Sequence, residues 1–487
     1  MLRLLCELGI TYRSIKLKAK TALSFSIGPI GAAAFSVITL PLITWFFSQE
    51  VVGKIALFQV CLSLSTLLFS LGLDQGYVRE FHDSRSTYTL FKMSVYPGFF
   101  LLISCTFVIT ISGYSLSGIL FDVIDFKISL LIFLGLISSY FSRFFSLVLR
   151  MHERGFLYSL TQLLPNALLL IVLSGYVFFN FDKSLDNLVS AMSASLVFVC
   201  LAFGWNTRTY LLKSVNSKWD WGVLIKLLKF GVPLSLGAVA FWGLTALDKL
   251  LLRSLSSFEE LGIYSVAVSF AAAAAVFQTA FSTIWVPTVY KWARLEVDPE
   301  RVYSVTRYIL AFVVLIFSCA GLLSWVITLF LPKAYFEVQW LVLSCLSYPL
   351  FYVLSETTVV GIGIVRKSYY SMVASIISVC FNLIGNILLI PDFGAKGAAI
   401  STSLSFFIFL VLRTEFSIFV WKPIPRVVLY LFTSLCTFGA VFFTMFGERF
   451  TSLNFLYWSM LVVASIIVFA KQYLQVYIYV RSKLLKS

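Results

Sequence analysis

The sequence predicts an all-α, polytopic integral membrane protein with about fourteen transmembrane helices. Its 487 residues are 60% hydrophobic and only 12% charged, with a mean hydropathy of +0.95, whereas about 25% of the residues in a soluble domain are charged. Crossing a bilayer takes roughly 20 apolar residues. Segments of this kind are found at 23–47, 55–79, 91–112, 128–149, 156–179, 187–207, 230–252, 261–289, 304–331, 338–362, 368–390, 397–420, 427–446 and 453–474.

The distribution of lysine and arginine predicts the orientation. An even number of spans places both termini on one side, which collects 29 of the 37 Lys and Arg residues. The other side has seven, and Lys249 lies inside a span. Because cytoplasmic loops carry the excess of positive charge, both termini are predicted to be cytoplasmic. The N-terminal part of this charge is Arg3, Arg13, Lys16, Lys18 and Lys20. The net charge of +15 therefore indicates topology and contact with lipid headgroups, not nucleic-acid binding.

Two pairs of similar segments indicate an internal repeat. SQEVVGKIAL (48–57) lies 209 residues before SFEELGIYSV (257–266), and RGFLYS (154–159) lies 212 residues before RKSYYS (366–371). Parallel repeats of this kind occur in transporters that bind their substrate between the two halves. The predicted regions are a six-helix lobe at 1–212, a cytoplasmic or interfacial linker at 213–229, a second six-helix lobe at 230–425, and spans 13 and 14 with a cytoplasmic tail at 426–487.

Charged residues inside spans are candidates for function because hydrocarbon makes them costly. In span 4, Arg143, Arg150 and Arg154 recur at i, i+7 and i+11, which places them on one helix face. A ladder rising from the cytoplasmic boundary suits a phosphate or pyrophosphate, which arginine binds bidentately. The alternative is positive-inside charge with snorkelling side chains, which suits Arg150 and Arg154 better than the deeper Arg143.

Spans 7 and 10 also carry charge. Trp242, Lys249 and Arg253 share a strip of span 7, with Asp248 at its edge, and this strip is predicted to line a cationic central cavity. Alternatively, Asp248 and Lys249 neutralise each other or pair with a neighbouring span. Glu356 in span 10 lies beside a proline and two glycines, where loosened backbone suits H⁺ or Na⁺ binding. The alternative is a protonated glutamate that bonds across helices.

Two spans present polar faces that are candidates for sugar binding. Span 11 has a stripe of five small polar residues that includes Ser375, Ser378 and Asn382, and span 5 has a shorter one that includes Gln162 and Asn166. Such stripes also serve as hydrogen-bonding contacts between packed helices. Both interpretations stay open from sequence alone.

The stretch LGLDQGYVREFHDSR, at 71–85, ends span 2 with a group of charges. Arg79 and Asp83 are spaced for an i,i+4 pair, and with Glu80 they are predicted to form a cytoplasmic gate or clamp. Asp74 lies over a turn deeper on the apolar side. We expect it to have a cationic or protonated partner, and we group it with Glu80, Asp248 and Glu356 as a candidate for cation coupling or gating.

Several functions lack their sequence motifs. There is no Walker loop for nucleotide binding, no His/Cys/Glu cluster with metal-ligand spacing and no G-x-S-x-G motif. The eight cysteines are scattered singly, as expected of small buried apolar residues. The sequence therefore predicts a transporter without a cofactor or catalytic residues, not an enzyme.

Several stretches resemble bacterial polysaccharide translocases, the O-antigen and capsule flippases of the superfamily that also contains the multidrug-and-toxin-extrusion antiporters. The resemblance covers roughly residues 20–420. It is carried by FSIGPIGAAAFSVITLPLITWFFSQEVVGKIALFQV, LGLDQGYVREFHD, FSRFFSLVLRMHER, LDKLLLRSLSSFEELGIYSVAVSFAAAA and IPDFGAKGAAISTSLSFFIFLVLRTEF.

The resemblance implies two lobes in a V around a cationic cavity. It also implies alternating-access transfer of an undecaprenyl-pyrophosphate-linked oligosaccharide from the cytoplasmic to the periplasmic leaflet of the bacterial inner membrane. Partners would be membrane lipids, a polysaccharide polymerase and a chain-length regulator. Residues that match family patterns are Asp74, Arg79, Glu80, Arg143, Asp248, Lys249 and Arg253, with Arg143, Arg79, Lys249 and Arg253 as pyrophosphate ligands.

Three other classes of protein compete with this interpretation. A cation-coupled multidrug antiporter shares the fold but usually has twelve spans and an acidic cavity. A membrane polysaccharide polymerase is expected to carry a large periplasmic loop, whereas the longest outer connection here is 113–127. A structural scaffold does not need the buried charges Arg143, Lys249 and Glu356.

Overall fold

The chain is helical in every regular element that is described. The computed structural model describes residues 28, 31, 32, 34–36, 38–294 and 300–484, and all regular elements within these ranges are helices. A helix pairs its own backbone N–H and C=O groups, as a segment in lipid requires. The all-α prediction is confirmed. The N-terminal cations Arg3, Arg13, Lys16, Lys18 and Lys20 lie outside the described residues.

The helices follow one another with short connections. They are α1 (Gln49–Ser70), α2 (Leu73–Glu80), α3 (Thr87–Ile111), α4 (Leu116–Phe121), α5 (Phe126–Met151), α6 (Gly155–Phe178), α7 (Leu185–Asn206), α8 (Arg208–Val215), α9 (Trp221–Leu255), α10 (Phe258–Arg294), α11 (Glu300–Leu323), α12 (Val338–Cys345), α13 (Ser347–Thr358), α14 (Val360–Ile364), α15 (Tyr369–Val420), α16 (Val427–Phe446), α17 (Thr451–Val468) and α18 (Ala470–Leu484). Short 3₁₀ segments lie at Ser324–Leu329 and Lys333–Tyr335.

Within the described residues, twelve segments are long and apolar enough to cross a membrane. The sequence predicts about fourteen, and the difference has two sources. The first predicted span, 23–47, is described only in part, with helical residues at 28, 31, 32, 34–36 and 38–46. The predicted spans 368–390 and 397–420 both fall in α15, whose 52 residues would extend about 78 Å as one straight helix. A hydrocarbon core is only ~30 Å thick, so α15 contains two spans.

The two spans of α15 form a helical hairpin that reverses at Gly394. This residue has φ 49° and ψ −125°, a conformation that glycine adopts without the clash of a Cβ. The two arms lie side by side, because the Ser401 hydroxyl donates to the Asn382 carbonyl at 2.9 Å. At the reversal, the Glu260 carboxylate accepts the Ala395 N–H at 2.7 Å, so a residue of α10 caps the second arm.

The chain divides into two compact units. Unit 1 comprises the described residues up to Phe47 together with Leu57–Val239, and unit 2 comprises Ser48–Ala56 together with the described residues from Ala240 onward. Helices α1 and α9 each contain a boundary and therefore contribute residues to both units. The four predicted regions rest on the sequence repeat and stay a prediction.

Unit 1 has an aromatic core with internal hydrogen bonds. Tyr77 and Tyr140 are fully buried. The Tyr77 and Tyr210 hydroxyls lie 3.2 Å apart, and the Tyr140 hydroxyl donates to the Val95 carbonyl at 2.7 Å. A buried tyrosine hydroxyl that lacks a hydrogen bond costs free energy, and these bonds supply a partner for each.

Unit 2 contains a close helix crossing between the start of α1 and the start of α10. A Cβ added to Gly53 would overlap the Phe258 carbonyl oxygen, and one added to Gly262 would overlap the Gln49 carbonyl oxygen. The contact is reciprocal, because Gln49 and Gly53 lie 209 residues before Phe258 and Gly262. Gly53 and Gly262 therefore occupy the same position in the two repeated segments, 48–57 and 257–266.

The last helices also belong to unit 2. Trp458 of α17 is fully buried, and its indole N–H donates to Asn454 Oδ1 at 2.8 Å. Asn454 Nδ2 in turn donates to the Gly321 carbonyl of α11 at 2.9 Å. This chain of bonds holds α17 against α11.

Candidate functional site

An ion pair joins α2 to α5 in unit 1. Helix α1 ends at Ser70, and the chain bends at Leu71 and Gly72, which both have positive φ. Asp74 then lies in the first turn of α2 and is buried. Arg143 donates from Nη2 to Asp74 Oδ2 at 2.7 Å and from Nε to the same oxygen at 3.2 Å. Arg143 is therefore the cationic partner expected for Asp74.

Arg143 keeps donors for a ligand. A guanidinium has five N–H donors, and the bonds to Asp74 use two of them. The Arg143 side chain is 39% exposed, against 9% for Asp74. The pair offsets the cost of burying the carboxylate, while the remaining edge of the guanidinium stays accessible.

Arg143 and Asp74 line a cavity of about 490 Å³ within unit 1. We call it the Arg143 cavity. The Ser142 hydroxyl at its wall is buried and has no hydrogen-bond partner among the described residues. Gln162, a predicted sugar ligand, also lines it. The lining residues that carry hydroxyls are Ser63, Thr66, Ser70, Ser139, Ser142, Ser146, Tyr158 and Thr161.

The Arg143 cavity combines two kinds of chemistry. Its guanidinium binds phosphate or carboxylate oxygens bidentately, and its hydroxyls both donate and accept hydrogen bonds, as sugar hydroxyls require. The volume lies within the roughly 300–1,000 Å³ typical of sites for small organic ligands. The cavity is therefore suited to a ligand that carries both anionic oxygens and many hydroxyl groups.

Arg79 and Glu80 form a separate network in unit 1. The Arg79 guanidinium lies 4.1 Å from the centre of the Phe230 ring, and Glu80 forms an ion pair with Lys226. The predicted i,i+4 pair of Arg79 with Asp83 is wrong. Helix α2 ends at Glu80, so Asp83 lies beyond the helix that would set that spacing, and the Arg79 Nε lies 3.8 Å from Glu80 instead.

The three arginines of span 4 do not form one site. Only Arg143 lines the Arg143 cavity. Arg150 is exposed, and Arg154 lies beyond the end of α5 and lines a different cavity. Helix α5 ends at Met151, so the helical spacing that aligned Arg154 with Arg143 ends there too. This placement favours the alternative for Arg150 and Arg154, which is positive-inside charge.

Asn166 makes contacts within unit 1. Its Nδ2 donates at 3.2 Å to both the Ala32 carbonyl and the Ser36 hydroxyl. It is not among the residues that line the Arg143 cavity. This placement joins α6 to residues of the first predicted span.

A buried carboxylate accepts several neutral donors in unit 2. Asp248 is 1% exposed. Its Oδ2 accepts from the Tyr264 hydroxyl at 2.6 Å and from the Thr402 hydroxyl at 2.5 Å, and its Oδ1 accepts from Asn386 Nδ2 at 2.6 Å. Asn386 Oδ1 is buried and has no partner among the described residues. This arrangement of oxygens suits a proton or a hard monovalent cation.

The other predicted residues of span 7 and span 11 lie near this carboxylate or on the same helices. The span 7 residues are half-buried in α9, namely Lys249, Trp242 and Arg253.

The span 11 residues lie in α15, where Ser378 and Asn382 are fully buried. The Ser378 hydroxyl is bonded to a carbonyl of its own helix. A further residue of this face is Ser375, which donates to the Ser371 carbonyl at 3.0 Å.

A second buried ion pair lies in unit 2. Arg413 Nη2 donates to Glu356 Oε1 at 2.9 Å, and Nη1 donates to the Ser355 hydroxyl at 2.7 Å. The guanidinium also lies 4.9 Å from the centre of the Phe409 ring. Arg413 is absent from the predicted site residues, although it falls within the predicted span 397–420. The rule that selects Arg143, a charge inside a span, would have selected it.

No group of three or more His, Cys, Asp or Glu side chains comes together in the part of the chain that the structure describes. Two ion pairs with a buried carboxylate each join two helices, α2 with α5 and α13 with α15. Such pairs suit the positioning of helices and the binding of polar ligands.

The helices define a multi-pass membrane protein with the fold of lipid and drug transporters. A solved structure titled as the lipid II flippase MurJ, in an inward closed conformation, matches with a TM-score of 0.69 at 13% identity, covering 94% of this chain and 100% of that chain. An inward-facing multidrug resistance transporter of the MATE family matches with a TM-score of 0.56 at 13% identity, covering 79% and 93%. Both titles name transporters, and both likenesses concern the fold.

The chain belongs to the polysaccharide biosynthesis protein family, whose model matches residues 19–292. It is 25% identical over 251 residues to the capsular polysaccharide biosynthesis protein CapF of Staphylococcus aureus. That match covers 48% of this chain and 61% of the relative, so the chain spans less than two thirds of the relative's length. The family predicted from sequence resemblance is confirmed.

Proposed function

We propose that this protein flips an undecaprenyl-pyrophosphate-linked oligosaccharide from the cytoplasmic to the periplasmic leaflet, for assembly of O-antigen, capsule or exopolysaccharide. The observation that carries the proposal is the Arg143 cavity. It joins a guanidinium to a wall of hydroxyls within a membrane-spanning unit. A lipid-linked sugar pyrophosphate presents both matching chemistries, and its polyprenyl tail can stay in the bilayer.

Arg143 is assigned to the pyrophosphate. Its two bonds to Asp74 fix the orientation of the guanidinium, so the remaining N–H groups are held in place before the ligand arrives. Ordering a flexible arginine on binding costs conformational entropy, and the pair with Asp74 reduces that cost. Asp74 therefore acts through Arg143 as a positioning residue.

The sugar is assigned to the hydroxyl wall and Gln162. The amide of Gln162 offers both a donor and an acceptor, which suits the alternating demands of sugar hydroxyls. Ser142 lacks a partner among the described residues, so a ligand hydroxyl or a water there would satisfy a buried polar atom. The other sugar candidates, Asn166, Ser375, Ser378, Asn382 and Trp242, stay predictions.

The remaining candidates are assigned to later steps of alternating access. Residues 1–212 and 230–425 act as the two moving lobes, joined by 213–229. Arg79 helps Arg143 to draw in the pyrophosphate at the cytoplasmic side, and Lys249 and Arg253 receive it near the outer face. Asp248 couples a cation, and Glu80 and Glu356 stabilise helix positions. The membrane potential adds driving force, because the exported group is an anion.

We further propose that the protein lies in a bacterial inner membrane with both termini in the cytoplasm. The excess of lysine and arginine on one predicted side supports this orientation. A polysaccharide polymerase and a chain-length regulator would use the flipped product at the periplasmic face.

The proposal is tested with Arg143→Gln in a strain whose own translocase is deleted and replaced by this chain. We expect loss of surface polysaccharide and accumulation of lipid-linked intermediates, and the amount of protein in the membrane is measured alongside. The matched control is Arg150→Gln, an exposed arginine on the same helix, which should leave surface polysaccharide unchanged.

A double variant separates ligand binding from helix pairing. Arg143→Gln alone leaves Asp74 buried without its cation, and an uncompensated buried charge costs roughly 3–5 kcal/mol. Asp74→Asn with Arg143→Gln removes both charges. If Arg143 binds the anionic substrate, the double variant stays inactive although its stability is restored. Full surface polysaccharide in the double variant would show that Arg143 serves only the ion pair and would overturn the proposal.

A further inference from the structure

A second cavity in unit 1 is separate from the Arg143 cavity. It has a volume of about 180 Å³ and lies where α5, α7 and α8 meet. The two cavities share no lining residue. The ends of α5 and α7 that form it are on the side predicted to be cytoplasmic. It is smaller than the roughly 300–1,000 Å³ of sites for drug-sized ligands, so it suits a small group and not an oligosaccharide.

Three side chains that can carry positive charge meet at this cavity. They are His152, Arg154 and Lys213, and no Asp or Glu is among its lining residues. Each is exposed, so none is held there by burial. Like charges gathered at one site repel each other. An anion bound between these side chains would attract each of them and so offset that repulsion.

The three side chains are oriented by neighbouring groups. His152 Nδ1 lies 2.9 Å from the Val148 carbonyl oxygen. Since a carbonyl only accepts, Nδ1 carries the proton, and Nε2 donates to a phosphate oxygen only in the imidazolium form of the ring. Arg154 Nη1 donates to Asn206 Oδ1 at 3.2 Å, and Lys213 Nζ lies 5.5 Å from the centre of the Tyr88 ring.

We propose that this cavity binds a phosphate group at the membrane surface. A phosphate has oxygen acceptors on several sides, which match an arginine, a lysine and a histidine that approach from different helices. A single carboxylate is planar and would meet fewer of them. The group can belong to the headgroup of an anionic lipid or to free phosphate, and both present the same chemistry. The proposal does not depend on the function assigned to the Arg143 cavity.

The test uses the purified full-length protein with two probes. Native mass spectrometry measures binding of phosphatidylglycerol against zwitterionic phosphatidylcholine, and isothermal titration calorimetry measures binding of inorganic phosphate. In the double variant Arg154→Gln with Lys213→Gln, we expect phosphatidylglycerol or phosphate to bind about tenfold more weakly. Lys213→Gln alone, at an exposed position, should give about a threefold loss.

One control localises the effect. Arg150→Gln removes an exposed arginine of α5 that does not line the cavity. It should bind the probes as the unaltered protein does. A loss confined to phosphatidylglycerol identifies a lipid headgroup, and a loss confined to inorganic phosphate identifies the free ion. Equal binding of both probes by the double variant and the unaltered protein would overturn the proposal.

Discussion

Three buried carboxylates differ in the charge of their partners. Asp74 and Glu356 each accept a hydrogen bond from an arginine, at 2.7 and 2.9 Å. Asp248 accepts from Tyr264, Thr402 and Asn386, which are all neutral. Lys249, the next residue, is outside this set of hydrogen bonds. Because an arginine already compensates the charge of Asp74 and of Glu356, we propose Asp248 as the acid that exchanges a coupling cation.

We expect Na⁺ to stabilise the purified protein against thermal unfolding, relative to choline at equal ionic strength. A cation that binds only the folded state contributes about 2.7 kcal/mol when its concentration is about 100 times Kd. In Asp248→Asn the carboxylate charge is gone while the side-chain shape is kept, so the shift should disappear. The unfolding temperature is measured in detergent over a Na⁺ titration.

The control for this prediction is Glu259→Gln, which removes an exposed acid at the start of α10. Its Na⁺ shift should equal that of the unaltered protein. An undiminished shift in Asp248→Asn would contradict the assignment of a bound cation to Asp248.

The residues of the candidate site were only partly predictable. Asp74 and Arg143 could be selected because each is a charge within or beside an apolar run. Their pairing could not, because they lie 69 residues apart on different helices. Ser142 and the other hydroxyls of the cavity wall gave no signal, since serine is common in membrane helices as packing contact.

At the scale of helices, the crossing of α1 and α10 depends on glycine. The Gln49 and Phe258 carbonyl oxygens occupy the space that a Cβ would need at Gly262 and Gly53. Close approach through small residues is the main way in which helices associate in lipid, where apolar packing against a neighbour gains little over packing against lipid.

Gly53→Val and Gly262→Val should each destabilise the protein by about 1–3 kcal/mol, because the added atoms overpack the crossing. The two values should be similar, since the contact is reciprocal. The measurement is thermal or denaturant unfolding in detergent, followed by tryptophan fluorescence.

Gly175→Ala provides the matched control. Gly175 lies in α6, and a Cβ added there meets no atom within 4 Å. Replacing a helical glycine by alanine at such a position should leave stability unchanged or raise it by up to about 1 kcal/mol. A loss at Gly175 as large as at Gly53 would indicate that the cost arises from something other than crowding.

At the scale of the whole molecule, the orientation can be tested with single cysteines. In a variant whose eight native cysteines are serine, we place one cysteine at Lys183 or at Lys422, which are both exposed. A membrane-impermeant maleimide added to whole cells should label the Lys183 position and not the Lys422 position. Labelling at Lys422 should appear once the membrane is permeabilised.

The reverse pattern would contradict the predicted orientation and place the termini outside. A fluorescent-protein fusion at the C-terminus gives an independent measurement, since such a domain fluoresces after folding in the cytoplasm. A fluorescent fusion together with labelling at Lys183 would support both parts of the prediction.

The sequence by itself determined the class of fold, the approximate spans and the charges that had to be accounted for in the membrane. These properties are local, because composition and helical period act over about 20 neighbouring residues. The tertiary structure decided which charges meet. Arg413 comes from 57 residues away to pair with Glu356, and α15 reverses at Gly394 to bring Asn386 and Thr402 to Asp248. Helical period gives the face on which a side chain lies, but its partner depends on how separate helices pack, and that packing is a property of the folded chain.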